Sequence, residues 1–181
     1  MFGRSARAFI GLGSNLQDPV GQICTALDAL AALPETRRLT HSALYRSTPM
    51  GPRAQPDFIN AVAALETRLS ASALLSHLQR IERRHGRVRG LVRWGPRTLD
   101  LDLLLFGDAR FATRVLTIPH PGLHRRPFVL YPLHDIAPNL VIPGRGALAK
   151  LLAKVSAEGL QVIPSSGSEG LEAICSAKRT G

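Results

Sequence analysis

Apolar residues alternate with polar ones in some stretches of the chain and recur at helical spacing in others, and their order along the sequence predicts the fold. Ala8 to Leu12 reads as a first strand that ends in the turn Gly13-Ser14-Asn15. Asp18 followed by Pro19 is a cap and first-turn signal, after which Ile23, Leu27 and Leu30 recur at helical spacing until Pro34 closes the segment. Leu39 to Arg46 reads as a second strand and Phe58 to Glu66 as a third. In the third, Ile59, Ala61, Ala63 and Leu65 form one apolar face, and the opposite face begins with Phe58 and Asn60. A second helix from about Ala71 carries Leu74, Leu78 and Ile81 on its buried stripe and stops near Gly86. From Thr98 a fourth strand puts Leu99, Leu101, Leu103 and Leu105 on one face and Asp100, Asp102, Leu104 and Phe106 on the other.

Strand, helix, strand, strand, helix, strand is the split βαβ order of an α+β, ferredoxin-like βαββαβ core: a mainly antiparallel sheet with helices packed on it. C-terminal additions follow. Val115 to Ile118 suits a further strand, Pro119-His120-Pro121-Gly122 a turn, and Pro127 opens a short helix through Leu133. Ala147 to Val155 fits an amphipathic helix, and Leu160 to Ile163 a short strand. The Ser/Gly-rich segment from Pro164 reads as a loose tail, so residues 1–163 are expected to form the domain and 164–181 a flexible extension.

A chain of 181 residues with 45% hydrophobic content is enough for one core. A formal charge of +10 and a pI near 11.1 suit polyanionic ligands, although net charge alone speaks to solubility and not to a site. Lysine placement is more selective. The only lysines are Lys150, Lys154 and Lys178, so no Walker-type P-loop can lie earlier, and any nucleotide must be held by arginine and metal. The glycine turn at Gly13 lacks the third glycine of a dinucleotide fingerprint and reads as structural. Cys24 and Cys175 are too few for a disulfide framework, and Cys24 falls in a helical pattern as a core thiol, which implies a reducing compartment. Gly11 and Gly13 interrupt the short N-terminal apolar run, and no stretch approaches a membrane span. A cytoplasmic protein is expected.

The chemistry concentrates in RVRGLVRWGPRTLDLDLLLF, from Arg87 to Phe106. Pleating points Asp100 and Asp102 the same way about 6.5 to 7 Å apart, a spacing from which carboxylates can converge on a hard cation such as Mg²⁺. Upstream, Arg87, Arg89, Arg93 and Arg97 supply fixed charge for phosphates. On three residues alone, Asp-x-Asp reads better as the solvated face of an edge strand. Leu104 and Phe106 continue that face as apolar residues, however, and a half-buried carboxylate wants a cation. The proline-rich stretch from Ser47 to Asp57 is long enough for a functional loop, with a plain connector as the alternative.

This segment closely resembles the signature of the 6-hydroxymethyl-7,8-dihydropterin pyrophosphokinase family. The resemblance extends through IGLGSNL, YRSTPMGP, QPDFINA, QRIERRHGR, TIPHP and the Arg126 to Phe128 region, from about Ala8 to about Pro143. It implies Mg²⁺-dependent transfer of pyrophosphate from ATP to a pterin alcohol in folate biosynthesis, giving AMP, by a cytoplasmic monomer with small-molecule partners and neither nucleic acid nor membrane. It also implies roles for individual residues. Asp100 and Asp102 match the acids that hold two magnesium ions, and Arg87 and Arg97 match catalytic phosphate-binding arginines. Ser47, Thr48, Met50, Phe58, Asn60, Trp94 and Phe128 match the pterin site, with Phe58 and Phe128 sandwiching the ring. Gln79, Glu82, Arg87, Arg89, Arg97, Leu103, Thr117, His120 and Arg126 match the ATP side. Arg89 and Trp94 fall in a loop that closes over both substrates in this family. Without the resemblance, Trp94 is a packing residue and His120 a turn-locked surface histidine. Phe58 stands where a tyrosine is frequent, and Val115 and Pro121 where some members place an arginine and a tyrosine. Two other classes use part of the same pattern: a basic nucleic-acid-binding module, and a two-metal nuclease that leaves Phe58, Asn60 and Phe128 without a role.

Overall fold

The structure, a computed structural model, describes residues 5–51, 54–88, 95–164 and 170–179. Strand β1 (Ala6–Ser14) leads into α1 (Pro19–Ala31), then β2 (Thr36–His41), β3 (Tyr45–Ser47), β4 (Phe58–Thr67), α2 (Ala71–Arg84) and β5 (Asp100–Phe106). β4 and β5 flank β1, and β2 and β3 share the outer edge of β4, all antiparallel. This is the α+β arrangement the sequence order predicts, with one difference. The second strand expected over Leu39 to Arg46 is two strands, because the Ser42 hydroxyl accepts the Val62 N–H at 2.9 Å while Ser42 N donates to Val62 O at 2.9 Å. A side chain there takes over part of the ladder's bonding, and the pairing has already slipped between Arg38 and Thr40.

The first helix starts at its signalled cap, Asp18, and the second, expected from about Ala71, is capped by Ser70. Asp18 accepts the Gly21 N–H at 3.4 Å, and Ser70 Oγ accepts the Ala73 N–H at 3.2 Å. Gly86, at φ +71°, supplies the left-handed turn beyond α2.

Alternation along the strands divides the apolar residues between two cores. Ile10, Leu12, Ile59, Ala61, Leu65, Leu101 and Leu103 face α1 and α2, which bring Ile23, Leu27, Leu30, Leu74, Leu78 and Ile81. On the other face Phe9, Val62, Ala64 and Leu104 pack against Val129, Leu130 and Leu133 of α3 (Pro127–Ile136) and Leu148 and Leu151 of α4 (Leu148–Leu152). Phe58, Asn60, Asp100 and Asp102 occupy this second face and line a cavity. Strict alternation in β5 fails after Leu104. The β1–β5 register shifts between Phe9 and Ile10, so Leu105 joins Leu104 in the second core and Phe106 packs against the first.

The remaining elements are short. β6 (Phe111–Ala112) pairs with β7 (Thr117–Ile118), β8 (Val141–Ile142) with β9 (Gly146–Ala147), and β10 (Leu160–Val162) with β3. β7 is shorter than the predicted Val115 to Ile118, and α4 covers only part of the predicted Ala147 to Val155.

The cysteines differ from expectation. Cys24 and Cys175 are 1% and 4% exposed and form a disulfide with each other. The segment expected as a loose tail contains α5 (Gly170–Arg179), which carries Cys175. Lys178 Nζ donates to Asp18 at 2.9 Å, and Glu172 accepts from Arg38 at 3.0 Å and lies 3.1 Å from His41 Nε2. No helix among the described residues is long and apolar enough to cross a membrane.

Candidate active site

The cavity, of about 230 Å³, opens where strand ends and loops leave the second face of the sheet uncovered. β1 contributes bare backbone to its floor. Gly11 and Gly13 line it without side chains, and a Cβ added at either would sit in ordinary contact, 3.4 Å from Leu104 and 3.5 Å from Asn60 Oδ1 respectively.

At one end stand Phe58 and Phe128, with the buried Asn60 between strand and floor. Asn60 Nδ2 donates to Ser47 Oγ at 2.9 Å and lies 3.3 Å from Tyr45 O. Thr48 is fixed by its N–H donating to Gly159 O at 3.1 Å, and Gly159, at φ +73°, leaves room for the Thr48 hydroxyl, which a Cβ would meet at 2.7 Å. Met50 is exposed at the mouth.

At the other end the carboxylates meet the arginines. Asp100 accepts from Arg87 Nη1 through Oδ1 at 2.5 Å and from Arg97 Nη1 through Oδ2 at 2.5 Å. Arg87 also contacts the buried Glu82, whose Oε1 accepts the Leu101 N–H at 2.8 Å and so ties α2 to β5. Burial lowers the Arg87 pKa, but Asp100 and Glu82 outweigh it and raise the pKa above the ordinary value, so the guanidinium stays charged. Asp102 has looser company, 3.5 Å from Arg126 Nη1 and 3.8 Å from His120 Nε2. Its side chain keeps 35% exposure to the cavity, yet burial, reinforced by Asp100, pushes its carboxyl up to about 7. Burial and Arg126 push His120 down to about 4, which leaves it neutral. His120 Nδ1 accepts the Gly122 N–H at 3.1 Å, so the imidazole proton sits on Nε2, facing Asp102. Gly122 admits the Arg126 guanidinium, which a Cβ would meet at 2.6 Å, and Arg126 Cζ lies 6.0 Å from the Phe128 ring centroid.

The structure thus brings Ser47, Thr48, Met50, Phe58, Asn60, Arg87, Arg97, Asp100, Asp102, His120, Arg126 and Phe128 to one cavity. Glu82 stands behind Arg87. Gln79 is half-buried on α2, Leu103 is buried in the first core, and Thr117 lies on β7; none of the three lines the cavity. Arg89, Arg93 and Trp94 lie outside the described residues. Sequence reasoning missed Asn15. It is 2% exposed, exchanges two bonds with Arg97 (Asn15 N to Arg97 O at 3.1 Å, Arg97 N to Asn15 Oδ1 at 2.8 Å), and donates through Nδ2 to Gln55 Oε1 at 3.1 Å and Pro56 O at 3.0 Å. The one signal for it was an amide directly after a glycine turn, which reads as an ordinary turn residue.

Among the described residues no three His, Cys, Asp or Glu side chains cluster as a self-sufficient metal cage. Magnesium does not need one, because it is commonly held by one or two carboxylates with phosphate oxygens and water. Asp102 fits that pattern: burial and the neighbouring Asp100 push its carboxyl up to about 7 despite Arg126 at 3.5 Å, so a bound cation would favour its charged form, and it lines the cavity.

Paired carboxylates and convergent arginines beside an aromatic, amide-lined slot define an enzyme of phosphoryl-type transfer to a flat small molecule. The family model described as 7,8-dihydro-6-hydroxymethylpterin-pyrophosphokinase matches residues 9–138. The 2-amino-4-hydroxy-6-hydroxymethyldihydropteridine pyrophosphokinase of Pseudomonas aeruginosa is 52% identical over 158 residues, spanning 87% of this chain and 97% of that protein. Its namesake from Haemophilus influenzae is 51% identical over 145 residues, spanning 80% and 90%. The crystal structure of wild-type Plasmodium falciparum HPPK-DHPS with SDX-DHP superposes with a TM-score of 0.67 at 14% identity, over 88% of this chain and 47% of that one, a likeness of fold. The chain belongs to the 7,8-dihydro-6-hydroxymethylpterin-pyrophosphokinase family and is an enzyme.

Proposed function

We propose that this cavity transfers pyrophosphate from ATP to the hydroxymethyl oxygen of 6-hydroxymethyl-7,8-dihydropterin, releasing AMP and the pterin pyrophosphate, in folate biosynthesis. The carrying observation is that an aromatic–amide slot and an acid–arginine cluster share one small cavity, so an alcohol held in the first lies beside a polyphosphate held in the second. Phe58 and Phe128 stack the heterocycle, and Asn60 Oδ1 accepts from its polar edge while Ser47 and Tyr45 engage Asn60 Nδ2. Asp100 and Asp102 would hold two Mg²⁺ ions, which when bound neutralise phosphate charge. Arg87 and Arg97 rest on Asp100; an entering triphosphate offers them a more highly charged acceptor, and their transfer to it frees the carboxylate. Arg126 and neutral His120 complete the phosphate side, the latter as an N–H donor through Nε2. Catalysis is then positioning and electrostatics.

Arg89 and Trp94 enter the reading only as ATP- and pterin-side residues implied by the resemblance, and it rests on no side-chain contact from Gln79, Leu103 or Thr117. ATP as substrate suits the cytoplasm, where burial of the Cys24–Cys175 bond would limit access by thiol reductants. The test is to supply ATP, Mg²⁺ and the pterin alcohol and resolve the nucleotide product. AMP is expected, and steady ADP formation would rule the proposal out.

A further inference from the structure

Tyr45 is 5% exposed, and its phenolic O–H reaches the carboxylate of Asp135, 2.9 Å from Oδ1 and 2.8 Å from Oδ2. Neither residue lines the cavity. Their placement nevertheless links its two walls. In the β3–β4 ladder Tyr45 lies opposite Asn60 and Ser47 opposite Phe58, so the four share one face of the sheet, and Asn60 binds back to Ser47. On α3, Phe128 and Asp135 are seven positions apart, which at about 3.6 residues per turn puts them on the same helix face about two turns from one another. One helix face therefore meets one strand pair at both ends: Asp135 on Tyr45 at one, Phe128 across from Phe58 at the other.

The first turn of α3 needs such a tie. Pro132 lies inside the helix and has no N–H, so the carbonyl of Phe128 cannot receive the bond that residue would otherwise give it. The turn carrying Phe128 is then less firmly joined to the rest of the helix, and its position is set by contacts with the sheet. Val129, Leu130 and Leu133 supply apolar contacts to Val62, Ala64 and Leu104, which are non-directional and compatible with small slides and rotations. The phenol–carboxylate bond is directional and charge-assisted, and fixes both.

We infer that Tyr45 and Asp135 form a positioning pair that sets the separation and tilt of the Phe128 ring over Phe58 and Asn60, and so governs affinity for the flat heterocycle without touching it. The inference rests on the proposed function and deepens it. Arg87, Arg97 and Asp100 bind one another apart from α3, and of the phosphate-side groups only Arg126, at the α3 N-terminus, shares the helix, so ATP binding depends on the pair less than pterin binding does.

The experiment is calorimetric binding of 6-hydroxymethylpterin and, separately, of a nonhydrolysable ATP analogue with Mg²⁺, to wild type, Tyr45→Phe, Asp135→Leu and Asp135→Asn. Loss of one charge-assisted hydrogen bond predicts pterin affinity weakened on the order of 5- to 20-fold in Tyr45→Phe and Asp135→Leu. Nucleotide affinity should fall by clearly less in both, within about 2-fold, since only Arg126 among the phosphate-side groups is carried at the α3 N-terminus. Asp135→Asn keeps an acceptor oxygen and should recover most of the pterin affinity. Asp135 is on the surface, so its variants should fold even if Tyr45→Phe does not. Equal weakening of both ligands, or pterin binding at wild-type strength in Asp135→Leu, overturns the inference alone. Wild type that binds no pterin overturns the functional reading as well.

Discussion

Asn15→Ala tests how the site is assembled. The side chain accepts the Arg97 N–H and donates to Gln55 and Pro56, so it joins the turn after β1, the loop before β4 and the segment that delivers Arg97 to Asp100. Pro56 is exposed and Gln55 half-exposed, and both can rehydrate when the amide is removed, which limits each loss to about 0.5–1 kcal/mol. The Arg97 N–H is less accessible, and leaving it unpaired adds about 1–3 kcal/mol. The sum is about 3 kcal/mol, or a fall in Tm of roughly 6–12 °C for a domain of this size. Displacing Arg97 by an ångström should also lower kcat on the order of 10²-fold. Asn15→Asp separates the contributions, because it keeps the acceptor for Arg97 and loses the donor to the loop, and its Tm should fall between the other two. Thermal unfolding and AMP-forming turnover measure both quantities. If Asn15→Ala stays within about 0.5 kcal/mol of wild type and turns over normally, the assembly described for this site is wrong.

Asp100→Ala and Asp102→Ala should each lower turnover on the order of 10²- to 10³-fold with circular dichroism unchanged, and near-normal activity in either would defeat the metal assignment. A pH series on the metal-free protein tests the Asp102 environment. Its carboxyl is pushed up to about 7 in the folded protein from an ordinary 3.8 in the unfolded chain, so the native state binds more protons between those values and this group's contribution to stability falls as pH rises from about 4 to about 7. His120, lowered from 6.5 to about 4, acts oppositely, because the unfolded state binds the extra proton there. The difference between wild type and Asp102→Asn isolates the carboxyl and should decline across that window; a flat difference contradicts the burial argument. Finally, the disulfide closes a loop of sequence separation 151, which in the chain-entropy treatment stabilises by about 5 kcal/mol. Cys24→Ser with Cys175→Ser should therefore lower the urea midpoint markedly while kcat holds, since the bond lies in the core opposite the cavity. An unchanged midpoint would show that the bond carries none of this stability.

Local periodicity was enough to place β1, α1, β4, α2 and β5, because each carries its own cap, turn or alternation and the sheet order follows from their succession. The same alternation put Asp100 with Asp102 and Phe58 with Asn60, so most of the site was legible before any packing was known. What eluded it depends on partners distant in sequence. The Ser42 hydroxyl breaks the second strand only because Val62 lies beside it, and Leu105 turns to the second core only because β1 slips against β5 at Phe9. Asn15 looks like any turn residue until Arg97, Gln55 and Pro56 surround it, and Cys24 like any core thiol until α5 brings Cys175 across 151 positions. The chain by itself determined which residues share a face and which chemistry they carry, since these follow from the pitch of a strand or helix. Tertiary structure alone decided which amide joins the loops, which acid is pushed up by burial and which cysteines meet, since hydrogen bonding, burial and covalent closure depend on what lies nearby in space.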